Sequence, residues 1–224
     1  MSLPAAFRLS VEDSAILGVP AFEIEEPSLE DLQMASRIPG HYTVRVDPRF
    51  GKSELHNTGF YYCDTLIEPY CSIERLKNFE DDAVDISRDI SLEPLLQICH
   101  DAFSHGRFHR DFNVAPSLAD LRYVRWLVQL HAARQVYGLL HSGNVVGFIA
   151  ADRGHLALHA VATTIRGRGL AKYLWSPVCN EIFRQGHREI TSSVSATNLA
   201  AINLYAALAF RFRKPVDVYH RLTA

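Results

Sequence analysis

Val161-Ala162-Thr163-Thr164-Ile165-Arg166-Gly167-Arg168-Gly169-Leu170-Ala171 is the stretch on which the reading of this chain turns. An apolar, strand-like run ends here and a helical pattern begins, with two glycines in the turn between them. Glycine adopts positive φ and lets a ligand come close to the backbone, so successive N–H groups can converge on an anion. The start of the following helix adds unpaired donors and the positive end of its dipole. Such a turn suits a pyrophosphate, and Arg166 and Arg168 are placed to add charge-assisted bonds. Taken alone, it also reads as an ordinary strand-to-helix connection or an Arg-Gly contact to RNA. The strand before it and the helix after it favour the anion site.

Working outward, strands are expected at Gln135–Leu140 and Asn144–Ala151 around the hairpin loop His141-Ser142-Gly143, and again at His155–Ala162. A helix from Gly169 to about Gln185, a strand at Glu189–Val194, a helix at Leu199–Leu208 and a strand near Val216–Leu222 follow. Upstream, Leu92, Leu95, Leu96, Cys99 and Phe103 share one helical face, and a second helix carries Leu118, Leu121, Trp126 and Leu130 with Ser117 as its expected cap. The polar run Lys77–Asp82 is read as a soft boundary. It sets residues 1–88, a small α/β region on the acceptor side, apart from residues 89–224. In the first part, Ala21–Glu25, His41–Val46 and Gly59–Ile67 read as strands, and Ser28 caps a helix. This alternation predicts an α+β fold with a central sheet covered by helices on both faces.

With 224 residues, 48% of them hydrophobic, the chain has ample material for a core. A net charge of −2 and a pI near 6.6 argue against nucleic acid as a partner. Cys63, Cys71, Cys99 and Cys179 are scattered without a C-x-x-C pair, which fits reduced thiols. No apolar run approaches the ~20 residues of a membrane helix, and the first residues show no signal-peptide pattern. A cytoplasmic location is therefore expected. His105 and His109 have no partners to complete a zinc site, and no nucleophile-elbow pattern occurs, so no metal and no hydrolase chemistry are expected. Arg122, Arg125 and Arg134 read as a solvated helix face.

A resemblance to a known family joins these signals. Arg166-Gly167-Arg168-Gly169-Leu170-Ala171 resembles the Q/R-x-x-G-x-G/A signature of the GNAT (GCN5-related N-acetyltransferase) superfamily, on a strand ending at Val161. Asn198, Ala201, Leu204, Tyr205 and Ala209-Phe210 resemble its second pattern, N-x-x-A-x-x-L-Y then G-F, with Ala209 in place of glycine. More widely, Asp13–Pro20 and Ala102–Asp111 are similar to the D-S-x-x-F-G-x-P and A-F-x-x-S-R-F-x-x-D segments of nucleotide-sugar N-acetyltransferases such as dTDP-fucosamine acetyltransferase, with Leu17 and Gly106 as departures. The resemblance implies the acyl-CoA N-acyltransferase fold, a mixed, mostly antiparallel sheet splayed in the middle.

It further implies acetyl-CoA as cosubstrate, held by Ala160, Val161, Arg166, Gly167, Arg168, Gly169, Leu170, Ala171 and Asn198. The acceptor is expected to be the primary amine of a small polar molecule, with a nucleotide-linked amino sugar as the leading candidate. Peptide or protein N-termini, or a non-catalytic acyl-CoA-binding module, are the alternatives, and a homodimer is allowed. Tyr205 is the candidate proton donor to the leaving thiolate. His159 is a candidate base, although alternation puts it on the same face as Val161, which in the family normally faces the core. Arg107, His109 and Asp111 are candidate substrate contacts. Asn198 reads equally as a plain helix cap.

Overall fold

The computed structural model describes residues 5–100 and 102–224. In chain order it contains β1 (Phe7–Ser10), α1 (Val11–Leu17), β2 (Ala21–Glu25), α2 (Leu29–Ala35), β3 (Gly40–Val46), α3 (Ser53–Asn57), β4 (Tyr61–Ser72) and β5 (Val84–Ser87). Then follow α4 (Leu92–His100), α5 (Pro116–Ala132), β6 (Val136–His141), β7 (Asn144–Asp152), β8 (His155–Val161), α6 (Ala171–Arg184), β9 (Glu189–Ser192), β10 (Val194–Ser195), α7 (Leu199–Ala207) and β11 (Arg211–Thr223). Strand pairing is mixed and mostly antiparallel, as expected. Ser117 is not a cap. Helix α5 begins one residue earlier, at Pro116, whose missing N–H costs nothing there, and the carbonyl of Ala115 accepts from Leu118 and Ala119.

The chain forms two compact units, each drawn from separate stretches. One holds the chain up to Leu66, His105–Arg122 and Lys214–Ala224; the other holds Ile67–Ser104 and Tyr123–Arg213.

In the first unit β2 and β3 run parallel across the crossover helix α2, while β1 and the end of β11 flank them antiparallel. Ser28 caps α2 through a full capping box with Asp31. Its core stacks Phe22 on Tyr42, ring centroids 5.3 Å apart, above Leu32, Ala35 and Leu55. Helix α1, not foreseen, is capped by Ser10 and ended by Gly18 at φ 71.

In the second unit the sheet runs β4-β9-β8-β7-β6-β5. Alternate side chains serve opposite faces. Tyr137, Leu139 and Ile149 pack under α6 and α7, whereas Val136, Phe148 and Ala150 pack under α4 and the second half of α5. Edge strand β5, also not foreseen, pairs with β6 just past the polar run that suggested a boundary.

Strand β8 carries the feature that shapes the site. Ala150 pairs with Leu158 but Ala151 pairs with Leu156, so Ala157 is an extra residue, a β-bulge. The bulge shifts parity. Leu156 joins the α6/α7 core while Leu158 and Ala160 join the α4 side, although all three are even-numbered. Pairing with parallel neighbour β9 stops at the same point, after His155↔Thr191 and Leu156↔Ser192. Beyond it the two strands are not paired, which is the expected splay.

Candidate active site

Beyond the bulge, β8 pairs with β7 alone among the described strands. Ala160 pairs with Phe148, and the Ala162 N–H donates to the Val146 carbonyl at 2.8 Å. In an antiparallel ladder the intervening residues turn their backbone groups the other way. His159 and Val161 therefore present theirs to the edge that β9 has left, whereas Ala160 spends its own on β7. The Val161 carbonyl accepts from Arg166 Nε at 3.0 Å, which folds that side chain back onto the strand end.

The chain then passes through one 3-10 turn, Thr163–Ile165, into Gly167 at φ 74 and Gly169 at φ 73. A Cβ at either glycine would meet nothing within 4 Å, so φ rather than packing demands glycine there. Helix α6 follows with Leu170 as its N-cap and no side-chain cap bond. The Tyr173 N–H donates to the Leu170 carbonyl, while the N–H groups of Ala171 and Lys172 have no side-chain cap and, with the two left-handed glycines, form the donor-rich turn the sequence suggested. Gly167, Arg168 and Gly169 are exposed. Beside the turn, Pro94, Gln97, Ile98, Val145, Thr163 and Arg166 line a pocket of ≈ 260 Å³. The roomier cavity, ≈ 710 Å³, lies in the first unit where α2 and α3 end, and no expected site residue lines it.

His159 and Tyr205, 46 residues apart, meet under the splay. Tyr205 on α7 is fully buried and its Oη lies 2.8 Å from His159 Nε2. The His159 ring stands edge-on to Trp175, 5.3 Å between centroids. Burial pushes the His159 pKa down to about 4, opposed by a hydrogen bond to its own backbone. The imidazole is thus neutral, with one nitrogen donating to that backbone and Nε2 accepting the Tyr205 proton. Burial likewise raises the Tyr205 phenol well above its usual range, against smaller contributions from Ser192 and Trp175. Asn198 is the N-cap of α7, its Oδ1 accepting from the Ala201 N–H at 3.1 Å.

The other expected residues belong to the first unit. Arg107 pairs with Glu23 at 3.2 Å, and His109 Nε2 lies 2.9 Å from Asp120 Oδ1. Arg122, expected as part of a solvated face, instead donates to Asp13 at 2.7 Å. Asp111 is the centre of a buried network that sequence reading missed. Its Oδ2 accepts from His41 Nε2 at 2.9 Å and His220 Nδ1 at 2.7 Å, its Oδ1 from Tyr61 Oη at 2.9 Å and the Asn113 N–H at 2.9 Å. Burial opposes the charge, but the bonds from His220 and His41 outweigh it and hold the carboxyl far below its ordinary range. Among the described residues, His41, Asp111 and His220 form one group whose ligand-type atoms lie within 4.8 Å of one another. Both imidazoles aim at one carboxylate oxygen, and Nε2 of buried His220 has no hydrogen-bond partner among the described residues. Metal-bound histidines as a rule donate their second N–H to an acceptor, so the arrangement suits a hydrogen-bonded hub.

Comparisons with known proteins agree with this geometry. The family profile described as "Acetyltransferase (GNAT) family" matches residues 95–210. The spore coat polysaccharide biosynthesis protein SpsD of Bacillus subtilis is 24% identical over 134 residues, covering 57% of this chain and 46% of that protein, so the match spans less than half of the relative. A GCN5-related N-acetyltransferase from Sphaerobacter thermophilus superposes with a TM-score of 0.62 at 12% identity, covering 90% of this chain and 73% of the other. A functionally unknown conserved protein from Staphylococcus epidermidis gives 0.68 at 12% identity over 100% and 94%. These structures share the fold. No helix among the described residues is long and apolar enough to cross a membrane.

Proposed function

Because the chain belongs to the GNAT acetyltransferase family, we propose that it moves acetyl from acetyl-CoA to the primary amine of a small polar acceptor, an amino sugar carried on a nucleotide. One observation carries the acetyl-CoA half. A β-strand with an unpaired edge runs directly into a donor-rich turn with two left-handed glycines and an uncapped helix start. Val161 and His159 offer main-chain groups to the pantetheine amides in the manner of strand addition. Gly167, Gly169, Leu170 and Ala171 offer N–H groups to the pyrophosphate, while the Arg168 N–H closes the turn onto the Ile165 carbonyl and the Arg166 and Arg168 side chains add charge.

Acetyl-CoA supplies an activated thioester. An acceptor amine forms the new C–N bond at its carbonyl, the C–S bond breaks, and the electron pair goes to sulfur. Main-chain N–H groups on the open edge of β8 are the donors for the developing oxyanion, an effect worth about 3 kcal/mol per donor. Tyr205 carries the proton that sulfur needs; burial raises its phenol, and the same dry surroundings raise the basicity of a thiolate formed beside it, so the transfer stays matched. The sugar half is supported by the relation to a polysaccharide biosynthesis protein and by the segments around Asp13 and Arg107.

Two measurements test this. Calorimetry should find acetyl-CoA binding, and Gly169→Ala should weaken it about 10-fold, since an L-residue at φ 73 costs about 1–2 kcal/mol. No heat of binding in the wild-type protein removes the proposal. Mass-spectrometric screening against amino sugars, nucleotide-linked amino sugars and peptides separates the acceptor classes; acetylation of peptides alone removes the sugar reading.

A further inference from the structure

Amine acetylation needs a base, because an ammonium has no lone pair to attack with. His159 is poorly placed for that task, since its Nε2 already accepts from Tyr205. A second histidine on the same strand is not so committed. His155 is half-buried and holds the first of the two positions at which β8 pairs with β9 before the splay, opposite Thr191. Its Nδ1 lies 2.9 Å from Thr191 Oγ1. Donation from Nδ1–H to that hydroxyl orients the ring and leaves Nε2 as the acceptor.

The face matters as much as the position. Leu156, Ile190 and Cys71 point into the α6/α7 core, so their neighbours His155, Thr191 and Tyr70 lie on the opposite face of β8, β9 and β4. Glu68, two residues before Tyr70, shares that face. Arg213 holds Glu68 through Nε and reaches Glu189 through its other nitrogens. Thr191 is half-buried and Ser193 exposed, so this side of β9 is open, whereas Tyr205 lies buried on the other side.

Resting on the acetyl-transfer reading above, we infer that His155 is the catalytic general base, oriented by Thr191 and polarised by Glu68, with Tyr205 as the acid on the opposite face of the splay. The acceptor ammonium gives one proton to His155 Nε2, which passes it to solvent. The freed lone pair forms the C–N bond, and the C–S pair leaves with sulfur. Tyr205 O–H protonates the sulfur and is restored by the proton that nitrogen sheds as the amide forms. Burial lowers the His155 pKa, while the charges of Glu68 and Asp152 raise it, so the net fall keeps the ring neutral and ready to accept near pH 7. His159 is the other titratable group coupled to it.

His155→Gln keeps a polar, similarly sized side chain. Its acetyl-CoA affinity by calorimetry should stay within about twofold of wild type, while kcat/KM for the acceptor found in the screen falls about 100-fold. Its acid limb should move to higher pH, where the amine deprotonates by itself. Glu68→Gln removes a charge that raises the His155 pKa, so the acid limb should move to lower pH, which a purely structural role would not produce. A His155→Gln enzyme with wild-type kcat/KM and an unchanged acid limb overturns the assignment while leaving acetyl transfer intact. A wild-type protein that binds acetyl-CoA yet acetylates no amine overturns both.

Discussion

Replacing Asp111 with alanine is expected to lower the free energy of unfolding by about 3–5 kcal/mol, read from the shift of a denaturant midpoint. The carboxylate is almost completely buried and accepts four hydrogen bonds, two of them from the buried imidazoles of His41 and His220. Removing it strands two ring N–H groups where water does not reach, and each stranded donor costs about 1–3 kcal/mol, whereas the half-buried Tyr61 hydroxyl keeps its bond from Asn113. The same network fixes a pH dependence. Burial, opposed by the Asp111 hydrogen bond, pushes His220 down to about 3, against ~6.5 in an unfolded chain. As pH falls below ~6.5 the unfolded state takes up a proton the folded state refuses, so wild-type stability declines. Asp111 adds to this below ~3.9, because its folded carboxyl stays ionised after the unfolded one has protonated. The gap between wild type and variant should therefore be fullest above pH 4 and narrow as the pH drops further. A variant within 1 kcal/mol of wild type at pH 7 would mean that the hub does not bear on stability.

That hub also marks where the sequence stops being readable. Local chemistry announced itself: Ser28 and Asp31 spell a capping box, and Gly167 and Gly169 sit between a strand pattern and a helix pattern, as the structure has them. Periodicity located β6, β7, β8, α6 and α7 to within a residue or two. Asp111, by contrast, draws its partners from positions 70 and 109 residues away, and nothing at His41 or His220 marks them as partners. The bulge at Ala157 was equally silent, since inserting one residue changes which face a side chain meets without changing composition. That one event decides that His159 turns toward Tyr205 while His155, four residues earlier, looks the other way. Helix α1 is legible in Ser10, whose side chain accepts from the Asp13 N–H, and in Gly18, which ends it in the left-handed region.

Tyr205→Phe carries the largest expected effect on chemistry, a fall in turnover on the order of 10³-fold with acetyl-CoA affinity held within about twofold. The substitution removes one oxygen from a fully buried side chain and leaves the ring, with its contacts to Phe210 and His159, in place. Stability should change little, by about 1 kcal/mol, because His159 Nε2 loses the donor that satisfies it. Thiol release under single-turnover conditions separates the two quantities, since the hydroxyl is needed only when sulfur takes on charge. The alkaline limb gives a second check. Burial raises the Tyr205 pKa, so its proton stays in place throughout the ordinary working range, and no Tyr205-dependent loss of rate should appear below the usual phenol value of ~10. A variant that turns over at the wild-type rate would show that sulfur takes its proton from water, and the Tyr205–His159 contact would then serve only to hold α7 against β8.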